Sequence, residues 1–143
     1  MLKILTDEVI SAILKSMAEA LPKKILVVDD EEEILTHLGN ILKRANYEVV
    51  STTKGKEVFN LAKDSQPDLI ILDILLPDLQ GDEVAALLLQ EPSTADIPII
   101  FLTGVLITKK EEDLARKTGK HYLMAKPATE KEILDMVSAV FSR

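Results

Sequence analysis

Polar residues that end apolar runs of this sequence are the ones whose types and spacing could do chemistry together. Asp29 and Asp30 follow one run, Asp73 follows a second, Thr103 ends a third, and Lys126 follows a fourth. Carboxylates that crowd into a small crevice repel each other, and burial strengthens the repulsion. A divalent cation relieves it. A set of carboxylates, a carbonyl and waters, without any soft ligand, favours Mg²⁺ over zinc.

The same residues carry what phosphoryl transfer requires. An aspartate carboxylate is a nucleophile, the Lys126 ammonium is a point charge that can hold a phosphoryl oxygen, and Thr103 offers a hydroxyl. Gly104 follows Thr103 and leaves room for a group to approach. With Mg²⁺ in place, such a cluster can neutralise the equatorial oxygens of a transferring phosphoryl group.

Five short segments must be the strands that position these residues. Residues 25–28, 68–72 and 97–102 are apolar runs without polar alternation, which is typical of strands buried on both faces. Residues 47–52 and 121–124 are weaker candidates. The two histidines find no partners in the pattern, and we expect both at the surface.

Helical patterns lie between and after these strands. They are predicted at residues 31–45, 56–63, 82–90, 108–117 and 129–141. Thr129 with Glu132, and Thr108 with Glu111, have the spacing of a capping box.

The alternation of strand and helix predicts an α/β fold, a doubly wound five-stranded parallel sheet with five helices on its two faces. Right-handed crossovers leave few topologies, and the flavodoxin-like order 2-1-3-4-5 fits five strands best. Ligands of such sheets bind beyond the carboxyl ends of the strands, at the switch point between strands 1 and 3. This placement brings the polar strand ends into one crevice.

Residues 1–22 stand outside the alternation and predict an extra amphipathic N-terminal helix. Thr6 can cap it, Asp7 and Glu8 suit its positive end, and Pro22 ends it. Its apolar stripe consists of Val9, Ile10, Ile13, Leu14, Met17 and Leu21. We therefore predict a helical segment at 1–22 and one domain at 23–143. The stripe could form a symmetric dimer, dock back on the domain, or continue a signalling helix from upstream.

Composition excludes several classes of protein. The chain has 143 residues, no cysteine and a formal charge of −7, which rules out disulfides and thiolate chemistry and argues against nucleic-acid binding through net charge. No apolar run reaches the roughly 20 residues of a membrane span. Asp7 and Glu8 interrupt the N-terminus before a signal-peptide core can form. We expect a cytoplasmic protein without membrane contact.

The sequence resembles the receiver domains of two-component response regulators, the CheY-like superfamily, over residues 24–142. Four stretches carry the resemblance: ILVVDDE at 25–31, LDILLPDLQG at 72–81, FLTG at 101–104 and KP at 126–127. Each piece alone is weak evidence. All four occur in order and at suitable spacing.

The resemblance implies a role for each matching position around the acceptor. Asp73 matches the phosphoacceptor, and Asp29 and Asp30 match the acidic pair, with Asp30 the direct Mg²⁺ ligand. The backbone carbonyl of Leu75 matches the third protein ligand. Leu75 departs from the family pattern by putting an apolar side chain near the site, and we hypothesise that it shields the acyl phosphate from water.

The resemblance also implies the partners of the phosphoryl group. Thr103 matches the hydroxyl that turns toward it, and Lys126 matches the lysine that pairs with it and precedes a cis bond to Pro127. The family usually has Tyr or Phe three residues before this lysine. Here Leu123 occupies that position and Tyr122 is one residue out of phase, which predicts that the aromatic switch is absent or altered.

The implied function is a phosphorylation-activated switch and not an enzyme, apart from Mg²⁺-dependent self-phosphorylation and autodephosphorylation. Asp73 would accept a phosphoryl group from a sensor histidine kinase or phosphotransfer protein. The output would be contact with a downstream protein target, because the chain ends soon after its last helix. A homodimer could form through the N-terminal helix or through the face of the helix from Thr108, the strand from His121 and the last helix. The chain is a single-domain regulator or a receiver cut from a hybrid kinase or multidomain regulator.

Alternatives from other classes fit less well. An aspartyl-phosphate hydrolase needs a second acid where Leu75 stands. A flavin-binding module needs a Ser/Thr/Gly-rich phosphate loop where residues 29–33 are acidic. A scaffold without phosphorylation would not need the acids, the hydroxyl and the lysine together. A purely structural interpretation makes Asp30 a helix cap, Asp73 a turn residue and Lys126 a surface lysine.

Overall fold

The computed structural model describes residues 4–104 and 121–143, which contain five strands and five helices. In chain order these are α1 Asp7–Ala20, β1 Lys24–Val28, α2 Glu32–Arg44, β2 Glu48–Thr52, α3 Gly55–Ser65, β3 Leu69–Asp73, α4 Gly81–Gln90, β4 Ile99–Thr103, β5 His121–Ala125 and α5 Glu130–Phe141. The helix predicted at 108–117 lies outside the described residues.

The strands form one parallel sheet in the order β2-β1-β3-β4-β5, which confirms the predicted flavodoxin-like fold. The register aligns the carboxyl ends of the central strands. Val28 lies opposite Leu72, Asp73 opposite Leu102, and Thr103 opposite Ala125. The residues that end β1, β3 and β4 therefore meet at one edge of the sheet.

Apolar layers cover both faces of the sheet. Leu26 and Val28 point to the layer under α3 and α4, whereas Ile25 and Val27 point to the layer under α2 and α5. All residues of β3 and β4 are buried, and so are all residues of β1 except Lys24. Burial on both faces explains why these strands read as uninterrupted apolar runs.

Strand β5 lies at the edge of the sheet. It directs the neighbouring side chains of Tyr122 and Leu123 to opposite faces of the sheet. Leu123 lies beside Phe101 and packs in the layer under α3 and α4, whereas Tyr122 packs in the opposite layer. His121 contradicts its expected surface position: it is buried, its ring meets the Phe101 ring edge-on, and burial lowers its pKa to about 4. Periodicity at a short edge strand did not reveal this burial.

Helix α1 is exposed along its whole length. Thr6 caps it by accepting the Val9 N–H at 3.2 Å, as predicted, and all residues from 4 to 21 are exposed. The chain enters the sheet immediately afterwards, where the Glu48 N–H donates to the Lys23 carbonyl. No helix in residues 4–104 and 121–143 has the length and apolarity needed to cross a membrane.

A carboxylate in the loop after β3 caps α3. Asp78 Oδ1 accepts the Gly55 N–H and Oδ2 accepts the Lys56 N–H, both at 3.0 Å. These hydrogen bonds, with the Lys56 N–H as the largest cause, lower the pKa of Asp78. Gly55 permits the approach, because a Cβ there would lie 2.8 Å from the Leu79 carbonyl oxygen. The cap holds the segment between Asp73 and α4 against α3.

We expect Asp78→Ala to reduce the free energy of unfolding by about 1–2 kcal/mol at neutral pH, because two N–H groups at the start of α3 lose a charged acceptor. The folded-state pKa of Asp78 is lowered, so its stabilisation is present above the usual pKa and is lost as the pH falls through the folded-state value. Urea denaturation at several pH values measures both effects. Asp64→Ala, at an exposed aspartate of the same helix, is the control, and a loss of equal size there would contradict the capping role.

Candidate functional site

Asp73 is the last residue of β3 and is only 7% exposed. Its Oδ1 accepts the Leu75 N–H at 3.2 Å, and its Oδ2 lies 3.3 Å from Lys126 Nζ. The carboxylate is thus held from both sides, by the loop that follows it and by a lysine 53 residues later. This fixed orientation is what a nucleophilic carboxylate needs.

Asp29 lies next to it at the end of β1 and is 1% exposed. Its Oδ1 accepts the Glu31 N–H at 2.9 Å, and its Oδ2 lies 2.6 Å from Lys126 Nζ. The lysine ammonium therefore joins the two buried aspartates.

Lys126 reaches the aspartates from the segment after β5. Its backbone N–H donates to the Thr103 carbonyl at 2.7 Å, and its peptide bond to Pro127 is cis, as the resemblance implied. Gly104 lies beside the lysine stem, and a Cβ there would be 3.7 Å from Lys126 Cβ, an ordinary contact. Lys126 is thus an integral part of the site and not an ordinary surface lysine.

The charges in the site shift each other's ionisation. Burial raises the pKa of Asp73, the Lys126 charge opposes this, and the Asp29 charge adds to it. Burial acts to lower the pKa of Lys126, but the hydrogen bond and charge of Asp29, together with those of Asp73, outweigh it and raise the pKa. The lysine therefore stays protonated, whereas the Asp73 carboxylate is crowded and under-solvated.

A second group of carboxylates adjoins the first. Carboxylate oxygens of Asp29, Asp30 and Glu31 lie within 4.8 Å of one another, with Asp29 buried and the other two exposed. Such hard oxygen ligands fit Mg²⁺. The sequence predicted Asp29 and Asp30 here. It gave Glu31 no part in the metal site, although its position directly after the acidic pair was a usable signal.

The alternative that Asp30 caps α2 is wrong. The N-cap residue is Glu31, and it makes no side-chain cap hydrogen bond. Within the described residues the Asp30 carboxylate forms no hydrogen bond or ion pair. Its oxygens are therefore available to a cation.

Thr103 and Leu75 are the two other predicted site residues, and the structure ties them to different members of the site. Thr103 is 1% exposed at the end of β4, next to the backbone of Lys126. Leu75 is 49% exposed and is tied to Asp73 through its N–H. The predicted metal-binding role of its carbonyl and the shielding role of its side chain remain predictions.

Gly81 is a site residue that the residue types alone did not reveal. A Cβ at this first residue of α4 would lie 2.7 Å from Ile74 Cα and 2.8 Å from the Asp73 carbonyl oxygen. The Gly81 N–H also donates to the Ile74 carbonyl at 2.8 Å. Only glycine lets α4 begin this close to the backbone of Asp73 and Ile74. Its place in the LDILLPDLQG stretch was the available signal.

Comparison with known proteins relates this chain to response regulators. A family model described as "Response regulator receiver domain" matches residues 25–138. The alkaline phosphatase synthesis transcriptional regulatory protein PhoP of Bacillus subtilis is 39% identical over 125 residues, which are 85% of this chain and 49% of PhoP. The polar-differentiation response regulator DivK of Brucella anthropi is 29% identical over 83% of this chain and 96% of DivK. The chain thus spans about half of PhoP and nearly all of DivK.

Solved structures resemble the fold over the same region. The chemotaxis protein CheY4 of Vibrio cholerae superposes with a TM-score of 0.74 at 27% identity, over 83% of this chain and 98% of CheY4. The receiver domain of a signal transduction histidine kinase from Syntrophus aciditrophicus gives 0.73 at 28% identity, over 84% of this chain and 90% of that domain. Helix α1 precedes the region that the family model matches.

We expect Asp73→Asn to increase the stability of the fold at neutral pH. The folded-state pKa of Asp73 is raised above the usual 3.8, so the ionised carboxylate destabilises the fold at pH values above both. The neutral amide removes this cost. The gain should be full at neutral pH and disappear as the pH falls below 3.8, where the wild-type carboxyl is protonated in both states.

Thermal and urea denaturation across this pH range measure the gain. Asp64→Asn, at an exposed aspartate, is the control and should leave stability unchanged within about 0.5 kcal/mol. A loss of stability in Asp73→Asn at neutral pH would show that the ionised carboxylate contributes to the fold.

Proposed function

The chain belongs to the response regulator receiver domain family, and from this premise we propose that it is a signalling switch in which Asp73 accepts a phosphoryl group. The observation that supports the proposal most is the placement of Lys126 Nζ, 3.3 Å from Asp73 Oδ2 and 2.6 Å from Asp29 Oδ2. A nucleophilic carboxylate, a fixed cation and a neighbouring group of acids converge there.

In the proposed reaction an Asp73 carboxylate oxygen attacks the phosphorus of the donor. The new bond is a carboxylate O–P bond, and the bond from phosphorus to the donor atom breaks and leaves its electron pair on the donor. Lys126 is placed to hold a phosphoryl oxygen as charge develops. The Leu75 N–H keeps Asp73 Oδ1 oriented. Mg²⁺, held by Asp29 and Asp30 with Asp73 and the Leu75 carbonyl, would neutralise charge on the transferring oxygens.

Phosphorylation changes the charge balance of the site. A phosphoryl group brings about −1.5 to −2 charges in related chemistry. The phosphoryl group then attracts the Lys126 ammonium more strongly than either of the two carboxylates that this lysine joins. We propose that Thr103, which ends the neighbouring strand, turns its hydroxyl toward the new oxygens. We infer that movement of these two residues carries the signal to the surface near β5.

The proposed donor is a sensor histidine kinase or a phosphotransfer protein, and the output is contact with a downstream protein. An apolar groove of about 450 Å³ supports docking beside the site. It is lined by Ile34 and Leu38 of α2, Ile133 of α5, and Pro127 next to the lysine. A helix of the donor could lie in such a groove. We propose that the protein works in the cytoplasm, where such donors act.

The setting of the domain in a longer protein is a second part of the proposal. DivK is matched over nearly its whole length, whereas PhoP is matched over half, and the Syntrophus structure is the receiver domain of a histidine kinase. A single-domain regulator and a receiver within a hybrid kinase or multidomain regulator are both represented among these relatives. The chemistry proposed for Asp73 is the same in each.

Incubation with acetyl phosphate and Mg²⁺ should add one phosphoryl group to the chain, and Asp73→Asn should abolish the addition. Intact-mass spectrometry measures it directly. Asp64→Asn should be phosphorylated like the wild type, and omission of Mg²⁺ should reduce the yield strongly. Phosphorylation that persists in Asp73→Asn would place the acceptor elsewhere, and multiple turnover of a generic phosphate ester would favour the hydrolase alternative.

The half-exposed Leu75 side chain next to the acceptor should slow hydrolysis of the acyl phosphate by excluding water. We therefore expect Leu75→Asn to shorten the lifetime of the phosphorylated protein several-fold, as measured by the decay of the phosphorylated mass. Leu87→Asn changes another exposed leucine, on α4, and should leave the lifetime unchanged. An unchanged or longer lifetime in Leu75→Asn would exclude shielding.

A further inference from the structure

Thr52 is a buried polar residue that has no part in the reaction proposed for Asp73. It ends β2 and is 7% exposed. Its hydroxyl donates to Glu57 Oε2 at 2.7 Å and accepts the Lys54 N–H at 3.1 Å. The hydroxyl thus acts as donor and acceptor at once, and the two hydrogen bonds fix the side chain.

These hydrogen bonds connect β2 to the start of α3, and we call Thr52, Lys54 and Glu57 together the Thr52 bridge. Lys54 is the N-cap residue of α3 and makes no side-chain cap hydrogen bond, and Glu57 is the third residue of the helix. In a capping box, a glutamate at this third position accepts the N-cap N–H directly. Here the Thr52 hydroxyl lies between the two groups and joins both of them to the end of β2.

The end of β2 depends on this bridge because the space beside it is not filled by packing. A cavity of about 430 Å³ lies there, between α2 and the start of α3. Its lining is mostly polar and includes Thr36, Ser51 and Thr53 besides the bridge residues. Loss of the bridge would therefore leave the end of β2 with few fixed contacts on this side.

The end of β2 also adjoins the acidic group of Asp29, Asp30 and Glu31. Thr52 lies opposite Val28 in the sheet register, and the Asp29 N–H donates to the Thr52 carbonyl at 3.4 Å. Asp29 Oδ1 in turn accepts the Glu31 N–H at 2.9 Å. The hydrogen bond between Asp29 and Thr52 is long, so a small shift of β2 would break it. The bridge thus supports the backbone at the first residue of the acidic group.

The first turn of α3 is a firm anchor for the bridge. Asp78, from the loop after Asp73, accepts the N–H groups of Gly55 and Lys56 in this turn. The same turn supplies Glu57 to Thr52. Both loops of the site are therefore tied to one helical turn, which limits the movement of Glu57.

We propose that Thr52, anchored by Glu57, is a positioning residue for the binding of Mg²⁺ by Asp29 and Asp30, a role that rests on the proposed function. The bridge keeps the Thr52 carbonyl against the Asp29 N–H. It thereby holds the backbone that sets the spacing of the two carboxylates. Thr52 acts through Asp29 and is not itself a ligand of the ion.

Calorimetric titration of the unphosphorylated full chain with Mg²⁺ measures this role without the phosphoryl reaction. Thr52→Val removes the hydroxyl and keeps the branched shape, and we expect it to weaken Mg²⁺ binding about tenfold, as loss of a supporting hydrogen bond does at other metal sites. Thr52→Ser keeps the hydroxyl and should bind Mg²⁺ like the wild type. Thr53→Val is the matched control, because it removes a hydroxyl that lines the same cavity outside the bridge. Equal losses of affinity in Thr52→Val and Thr52→Ser would overturn the role of the hydroxyl.

A double-mutant cycle tests the anchor. Glu57→Ala removes the partner of Thr52 together with a negative charge, so it should weaken Mg²⁺ binding at least as much as Thr52→Val. Addition of Thr52→Val to Glu57→Ala should cause no further loss, because both residues act through one bridge. A further loss as large as that of Thr52→Val alone would show that Thr52 acts without Glu57 and would overturn the bridge.

NMR spectra recorded without Mg²⁺ separate positioning from a general loss of stability. Thr52→Val should shift the Asp29 amide resonance and speed its hydrogen exchange, whereas the Glu48 amide at the other end of β2 should keep its protection. Thr53→Val should leave the Asp29 amide unchanged. Equally faster exchange at both ends of β2 would show a merely structural role and contradict positioning.

Failure of the proposed function would give a different result. A wild type that binds no Mg²⁺ would contradict the magnesium site itself, and the role of Thr52 with it. A wild type that binds Mg²⁺ and is phosphorylated on Asp73, with a Thr52→Val variant of the same Mg²⁺ affinity, would overturn only the role of Thr52.

Discussion

The ammonium group of Lys126 between the carboxylates of Asp29 and Asp73 is the interaction on which the site depends. Both aspartates are less than a tenth exposed, so neither can rely on water to stabilise its charge. One lysine at 2.6 Å and 3.3 Å compensates both. The balance is incomplete, because burial still raises the pKa of Asp73. A stable core with a partly compensated acid at its edge follows from this single arrangement.

The parallel sheet makes the arrangement possible by placing residues from distant parts of the chain at one edge. Lys126 follows Asp29 by 97 positions in the sequence. Their side chains nevertheless meet, together with that of Asp73, because β1, β3 and β5 all end on the same side of the sheet. The loop after β3 then requires two local devices. Gly81 allows α4 to start against the backbone of Asp73, and Asp78 ties the loop to α3.

The buried site around Asp73 and the exposed helix α1 are held together by different physical interactions. The site relies on buried charge in a rigid sheet, whereas α1 is an exposed amphipathic helix anchored at Lys23 and Lys24. Leu123 in place of an aromatic residue belongs to the first of these: it packs beside Phe101 in the core and has no polar group to present at the surface.

The sequence by itself determined the fold class, the strand order and most of the site. Apolar runs such as residues 69–72 and 99–102 are typical of strands buried on both faces, and the parallel topology then required Asp29, Asp73 and Thr103 to share an edge. The tertiary structure decided what depends on distances between elements. It placed Lys126 against both aspartates and made Glu31 part of the acidic group. It also showed that only glycine fits at position 81 and that His121 is buried against Phe101. Periodicity reports which face of an element is apolar, whereas the partner of a charge and the space beside a glycine are set by elements far away in the chain.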